Sequence, residues 1–148
     1  MIAEGVVDDS RVYITGAARG GGGVLLAMNQ EKLLFTAGLS ICPRMTPDTY
    51  ESLCNLTEEK IMLVLPYADI NLYRNQYAVD GMWKLVKKGN KYAELLFYSR
   101  EELEANGIGS QPSLSLEQKL VENHKIWNLA YQNVDGVLDW LLNQKKEN

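Results

Sequence analysis

Arg19 is followed by four consecutive glycines, Gly20 to Gly23, in a chain of 148 residues. A guanidinium beside backbone N–H groups that no side chain shields can hold an anion, and a phosphate fits such a concavity. On this reading Arg19, Gly20, Gly21, Gly22 and Gly23 form a ligand-binding loop for an anionic nucleotide or phosphate. Arg44 or Arg11 would supply a second positive contact, and one of Tyr13, Tyr50 or Trp83 would stack on a base.

Catalytic chemistry is harder to assemble from the residue types present. Nucleophilic catalysis needs a base, and the one histidine, His124, falls on an apolar helical stripe, where an interior role is expected of it. A zinc site would have to bring Cys42, Cys54 and His124 together with a carboxylate, without any close pair such as Cys-x-x-Cys. The paired carboxylates Asp8-Asp9, Glu58-Glu59 and Glu101-Glu102 diverge if helical, and the last two suit the first turns of helices. No catalytic residue, metal ligand or cofactor is therefore assigned, and the two cysteines are expected to be buried and unpaired.

Thr15-Gly16-Ala17-Ala18-Arg19-Gly20-Gly21-Gly22 resembles the nucleotide-binding segment of short-chain dehydrogenases over those eight residues. That resemblance implies glycines admitting a pyrophosphate to a helix N-terminus. The family's Tyr-x-x-x-Lys pair is absent here. The few residues between Gly22 and the next expected strand at Lys32 also leave no room for a crossover helix.

Composition limits the elements that must position these groups. With 46% hydrophobic and 23% charged residues the chain is globular, and a net charge of −4 gives no global attraction for double-stranded nucleic acid or anionic lipid. One domain over residues 1–148 is expected, in the cytoplasm. The N-terminal run Met-Ile-Ala-Glu-Gly-Val-Val-Asp-Asp has no leader pattern, and no stretch has the ~20 apolar residues of a membrane span.

Val12–Thr15, Val24–Met28 and Lys32–Thr36 read as antiparallel strands, and Ile61–Leu65 as a buried strand closed by Pro66. Thr46 followed by Pro47 starts a short helix to about Cys54. The stretch holding Tyr67, Tyr73 and Tyr77 reads as a loop. Met82–Val86 and Tyr92–Tyr98 pair as a hairpin around Gly89-Asn90, and Ser99 with Glu102 makes a capping box for a short helix ended by Gly107.

From Ser115 to about Gln144, Leu120, His124, Trp127, Tyr131, Val134, Leu138 and Leu141 alternate spacings of four and three, predicting one long amphipathic helix. Such a helix would overhang a small sheet, and a second copy of the chain would cover it. The expected fold is α+β, with an antiparallel or mixed sheet of about five to six strands, two short helices and this long C-terminal helix. The expected function is non-enzymatic binding of a small anionic ligand by a homo-oligomer. The alternative is a protein-interaction module, of inhibitor or immunity type, using the acidic surface and the long helix.

Overall fold

The computed structural model describes residues 8–146, so the N-terminal run from Met1 lies outside the described residues up to Asp8. Four strands, β1 (Tyr13–Ala17), β2 (Ala37–Ile41), β3 (Ile61–Pro66) and β4 (Glu94–Tyr98), form a sheet in the order β1-β2-β3-β4. Every neighbouring pair is parallel. Parallel neighbours need crossovers, which α1 (Arg19–Gln30), α2 (Pro47–Cys54) and α3 (Leu72–Lys87) supply. The expected antiparallel or mixed sheet of five to six strands is thus corrected to an α/β arrangement.

The error began at the glycines. Val24, Leu25 and Met28, expected on a strand, are the buried face of α1, and Gly20 to Gly23 lie inside its first turns. Glycine costs a helix about 1 kcal/mol relative to alanine, yet here close packing requires it. A Cβ at Gly21 would stand 2.9 Å from the carbonyl oxygen of Ile41, and one at Gly22 would stand 2.9 Å from that of Arg44. Tertiary packing therefore overrides local propensity, and the crossover that seemed too short begins before the glycines rather than after them.

The hairpin is corrected likewise. Met82 to Val86 belong to α3, which Asn71 caps by accepting from the Tyr73 N–H, so the tyrosine-bearing stretch expected as a loop enters this helix. Gly89 does adopt a positive φ of 101°, but it ends a helix rather than turning a hairpin. The long C-terminal helix is in fact four short segments: α5 (Leu116–Asn123), α6 (Trp127–Tyr131), a 3-10 turn (Val134–Gly136) and α7 (Val137–Leu142). Asn133, Asp135 and Gly136 take left-handed angles, with φ of 64°, 58° and 73°, and break the helix there. Its apolar stripe folds back onto the sheet instead of overhanging it. Leu129, Val137 and Leu141 pack with Leu39, Ile41 and Val64, and Trp127, Val134 and Leu138 lie against them.

Local signals of other elements hold. Thr46 accepts from the Thr49 N–H at the start of α2, with Pro47 in the first turn. Ser99 and Glu102 cap α4 (Arg100–Ala105) reciprocally, and Gly107 follows it at φ 81°.

Alternation along β3 explains the layers. Ile61, Leu63 and Leu65 face one core with residues of α1, α2 and α3, while Met62 and Val64 face the other with the C-terminal segments. Sequential strand order with crossovers of one hand places α1, α2 and α3 together on one face. Both sheet faces are covered, so β2 and β3 are buried at every position and read as continuous apolar runs. No helix among the described residues is long and apolar enough to cross a membrane.

Candidate functional site

The carboxyl ends of the strands converge on one place. At the end of β1, Ala18 turns the chain into α1 with φ 55° and ψ −114°, a strained pair of angles for a residue with a Cβ. Three hydrogen bonds hold that turn. The Ala18 N–H donates to the Ile41 carbonyl at 3.0 Å, and its own carbonyl accepts from Arg44 N–H at 2.8 Å and Gly22 N–H at 3.1 Å. The turn closes so tightly that a Cβ at Gly16 would collide with the backbone of Gly20.

Cys42 follows β2 and lies beneath this turn. It is fully buried, and its thiol donates to the His124 carbonyl at 3.3 Å. Burial pushes the thiol up to about 12, with the neighbouring Asp69 acting in the same direction and the Ala18 backbone N–H opposing it. At neutral pH it is a protonated hydrogen-bond donor rather than a nucleophile.

Asp69 lies just beyond β3, fully shielded at its side chain, and His124 caps the C-terminus of α5. The two residues are 55 positions apart in the chain, yet His124 Nδ1 is 2.7 Å from Asp69 Oδ1. A carboxylate only accepts, so Nδ1 carries the proton and Nε2 offers its lone pair to the site. Trp127 meets the imidazole edge-on at a centroid separation of 5.6 Å and fixes its plane. The Arg74 guanidinium, on the first turns of α3, stands 3.5 Å from Nε2.

Chemically this is a base held by an acid, beside a strained strand-to-helix turn whose first helical N–H groups have no intrahelical acceptor. Cys42, Asp69 and His124 bring one ligand atom each within 4.8 Å of one another. Cys54, named with Cys42 for a zinc site, is not among them. In the cluster the imidazole Nδ1 and the thiol already hydrogen-bond, to Asp69 and to the His124 carbonyl.

Of the residues singled out from sequence, Arg19 opens α1 directly after Ala18, and Arg44 meets Ala18 through its backbone. Gly22 and Gly23 line a shallow pocket with both arginines, and Gly20 and Gly21 are part of the same first turns. Arg11 is away from them, near Asp8 at 3.9 Å. Tyr13 bonds the C-terminal carbonyls of Leu142 and Gln144, and Trp83 is exposed on α3. Sequence reasoning missed Ala18, Asp69 and Arg74 and assigned His124 only an interior role.

The prolyl oligopeptidase family (peptidase S9) matches residues 1–101. No curated protein matches the chain. Among solved structures, a thermostable esterase superposes with a TM-score of 0.69 at 23% identity, covering 95% of this chain and 32% of the esterase. An IroE-like serine hydrolase from Shewanella oneidensis superposes with a TM-score of 0.51 at 14% identity, covering 98% of this chain and 52% of that one. The chain therefore spans about a third of the first and half of the second, and at these identities they show the fold alone.

That fold is α/β-hydrolase-like, and it makes sense of the strained turn. The nucleophile of such hydrolases sits in Gly-x-Ser-x-Gly between strand and helix, followed in chain order by the acid and then the histidine. Here the segment is Gly16-Ala17-Ala18-Arg19-Gly20, with Asp69 and His124 following in that order, and Ala18 stands where the serine would be. This was the legible signal, broken at its one chemical residue. The family match and the fold overturn the expectation of a non-enzymatic, nucleotide-binding protein and, with it, the interaction-module alternative. Of the glycines that suggested a pyrophosphate loop, Gly21 and Gly22 are the ones that close packing of α1 demands.

Proposed function

We propose a hydrolytic function for this chain, which belongs to the prolyl oligopeptidase family by the match over residues 1–101. The reaction is hydrolysis of a carboxylic ester or amide. Ala18 has no hydroxyl, so no acyl intermediate forms at the elbow. Water takes the serine's place between the elbow and His124. His124 Nε2 removes one water proton as the water oxygen bonds to the substrate carbonyl carbon, and Asp69 steadies the imidazolium so formed. The developing oxyanion meets the backbone N–H of Arg19, the residue after the nucleophile position, at the positive end of α1. Collapse breaks the carbon–oxygen or carbon–nitrogen bond. The leaving group takes the proton from Nε2, giving an acid and an alcohol or amine.

The observation that carries this reading is the 2.7 Å contact between His124 Nδ1 and Asp69 Oδ1, set beside a turn strained at Ala18. Hydrolases stripped of a triad member retain about 10³- to 10⁴-fold acceleration over water, so a modest rate is expected. The test is release of p-nitrophenol from p-nitrophenyl acetate. Wild type should exceed buffer, His124→Gln should fall toward it, and Ala18→Ser should gain at least ~100-fold with a burst of acyl-enzyme. A wild-type rate equal to buffer would remove the water mechanism, and an equally inert Ala18→Ser would remove hydrolysis altogether.

A further inference from the structure

Arg74 is half-buried, and its Nη1 lies 3.5 Å from His124 Nε2, the atom that must accept a proton. A cation is a poor permanent neighbour for a general base, and burying one without an opposing charge is costly. Among the described residues no carboxylate stands within salt-bridge reach of Arg74, Arg44 or Arg19, while the nearby Asp69 is taken up by His124. In a chain whose net charge is −4, Arg74 therefore stands beside the base without an ion-pair partner, while Arg19 and Arg44 are exposed at the neighbouring shallow pocket.

Beside them lies a pocket of about 280 Å³ lined by Met45, Thr46, Pro47, Tyr50 and Tyr77. Its lining comes from the chain segments next to those of the reacting centre. Met45 follows Arg44, whose N–H is bonded to Ala18, and Tyr77 lies one turn of α3 beyond Arg74. The Tyr50 and Tyr77 rings are 5.9 Å apart at an interplanar angle of 51°, leaving a wall that is mostly apolar.

We infer that this site takes an anionic substrate, an ester or amide whose acyl part carries an apolar or aromatic group and a second carboxylate, with Arg74 as the specificity-determining residue. The inference deepens the hydrolytic reading and rests on it. The aromatic group enters the pocket between α2 and α3, and the carboxylate receives the Arg74 guanidinium. Guanidinium and carboxylate match in a two-point contact that an imidazole nitrogen cannot equal, so Arg74 turns from Nε2 to the substrate. The same binding event frees the Nε2 lone pair for water. A neutral substrate lacks that contact, so Arg74 stays beside Nε2 for more of the time and hydrolysis is slower.

The experiment measures binding first, since binding does not need turnover. Hydrocinnamate and its uncharged amide, hydrocinnamide, are titrated calorimetrically into the intact chain. The acid should bind about ten- to a hundredfold more tightly, the range expected of one charge-assisted contact. Arg74→Gln should abolish that ratio, and Arg74→Lys should keep part of it. Equal affinities in wild type, or a ratio that survives in Arg74→Gln, would overturn the inference. Should Arg74→Gln fail to fold by circular dichroism, the wild-type ratio and the Arg74→Lys value decide.

The kinetic arm compares mono-p-nitrophenyl glutarate with neutral p-nitrophenyl pentanoate, for which wild type should favour the anion in kcat/KM and Arg74→Gln should not. His124-dependent hydrolysis of the neutral ester without any preference for the acid removes the Arg74 role and leaves the hydrolytic function standing. Selective acid binding without hydrolysis of either ester does the reverse.

Discussion

The Nδ1 of His124 lies 2.7 Å from Oδ1 of Asp69, although α3, β4, α4 and α5 separate the two in the chain. The carboxylate is also held from its own side, accepting the Ile70 N–H at Oδ1, while Oδ2 is buried without a hydrogen-bond partner. Replacing Asp69 by Asn keeps the shape but presents an amide where the imidazole needs an acceptor for its N–H. If the amide nitrogen faces Nδ1, the tautomer reverses and Nε2 is protonated. In the Ala18→Ser background, where rates are readily measured, Asp69→Asn should lower kcat by about 10⁴-fold with little change in KM. Steady-state hydrolysis of p-nitrophenyl acetate by both variants checks this.

The elbow makes opposite demands on two glycines. A Cβ at Gly16 would collide with the Gly20 backbone, whereas one at Gly23, inside α1, meets nothing within 4 Å. Gly16→Ala should therefore destabilise the fold by roughly 2–3 kcal/mol or more, as overpacking against backbone does. Gly23→Ala should stabilise it by about 0.5–1 kcal/mol. Urea denaturation midpoints for the two variants should move in opposite directions.

Asn90 ties two loops together. Its buried amide donates to the Leu56 carbonyl at 2.6 Å and the Glu59 carbonyl at 2.9 Å, and its oxygen accepts from the N–H groups of Tyr92 and Ala93. Asn90→Ala removes the partner of one buried and three partly buried backbone groups and should cost roughly 2–3 kcal/mol. Asn90→Asp should be nearly as damaging, because a carboxylate cannot donate to Leu56 and Glu59. Chemical denaturation at neutral pH measures both.

Cys42 gives a pH dependence with a definite sign. Its folded-state pKa, about 12, lies above the ordinary thiol value of 9.0, chiefly because burial disfavours the thiolate. Between those values the folded chain keeps a proton that the unfolded chain releases, so stability falls as pH rises. The contribution is complete below about pH 9 and is lost progressively toward about pH 12. Wild type should therefore lose more stability than Cys42→Ala between pH 8 and pH 10, read as the shift in urea midpoint of each. At neutral pH iodoacetamide should alkylate Cys42 only as fast as the chain opens.

Certain elements were legible because their determinants are local. The Thr46 cap with Pro47, the Ser99–Glu102 capping box, the apolar run closed by Pro66 and the positive φ at Gly89 and Gly107 each depend on side chains or backbone within a few residues. The apolar stripe from Leu120 to Leu141 was legible only in part: Leu141 is buried and Trp127, Val134 and Leu138 are partly buried against the core, but Tyr131 is exposed and the buried face is made chiefly by Ile126, Leu129, Ala130 and Val137. Its continuity was not real, because left-handed angles at Asn133 and Asp135 are choices that tertiary packing makes and that periodicity does not encode.

What only the tertiary structure decided is everything that depends on distant segments meeting. Gly21 and Gly22 become helical because Ile41, Pro43 and Arg44 press against them, and nothing in residues 19–23 states that pressure. Strand direction follows from those crossovers, so misreading α1 as a loop and a strand made the sheet antiparallel. Arg19 and the glycines were singled out from sequence, and the structure places them at the carboxyl ends of the strands. The chemistry of that place resides in Asp69 and His124, which no local spacing links, and in Ala18, whose side chain alone announces nothing. Its strained backbone, visible only once β1 and α1 are packed, marks the position where a nucleophile would stand.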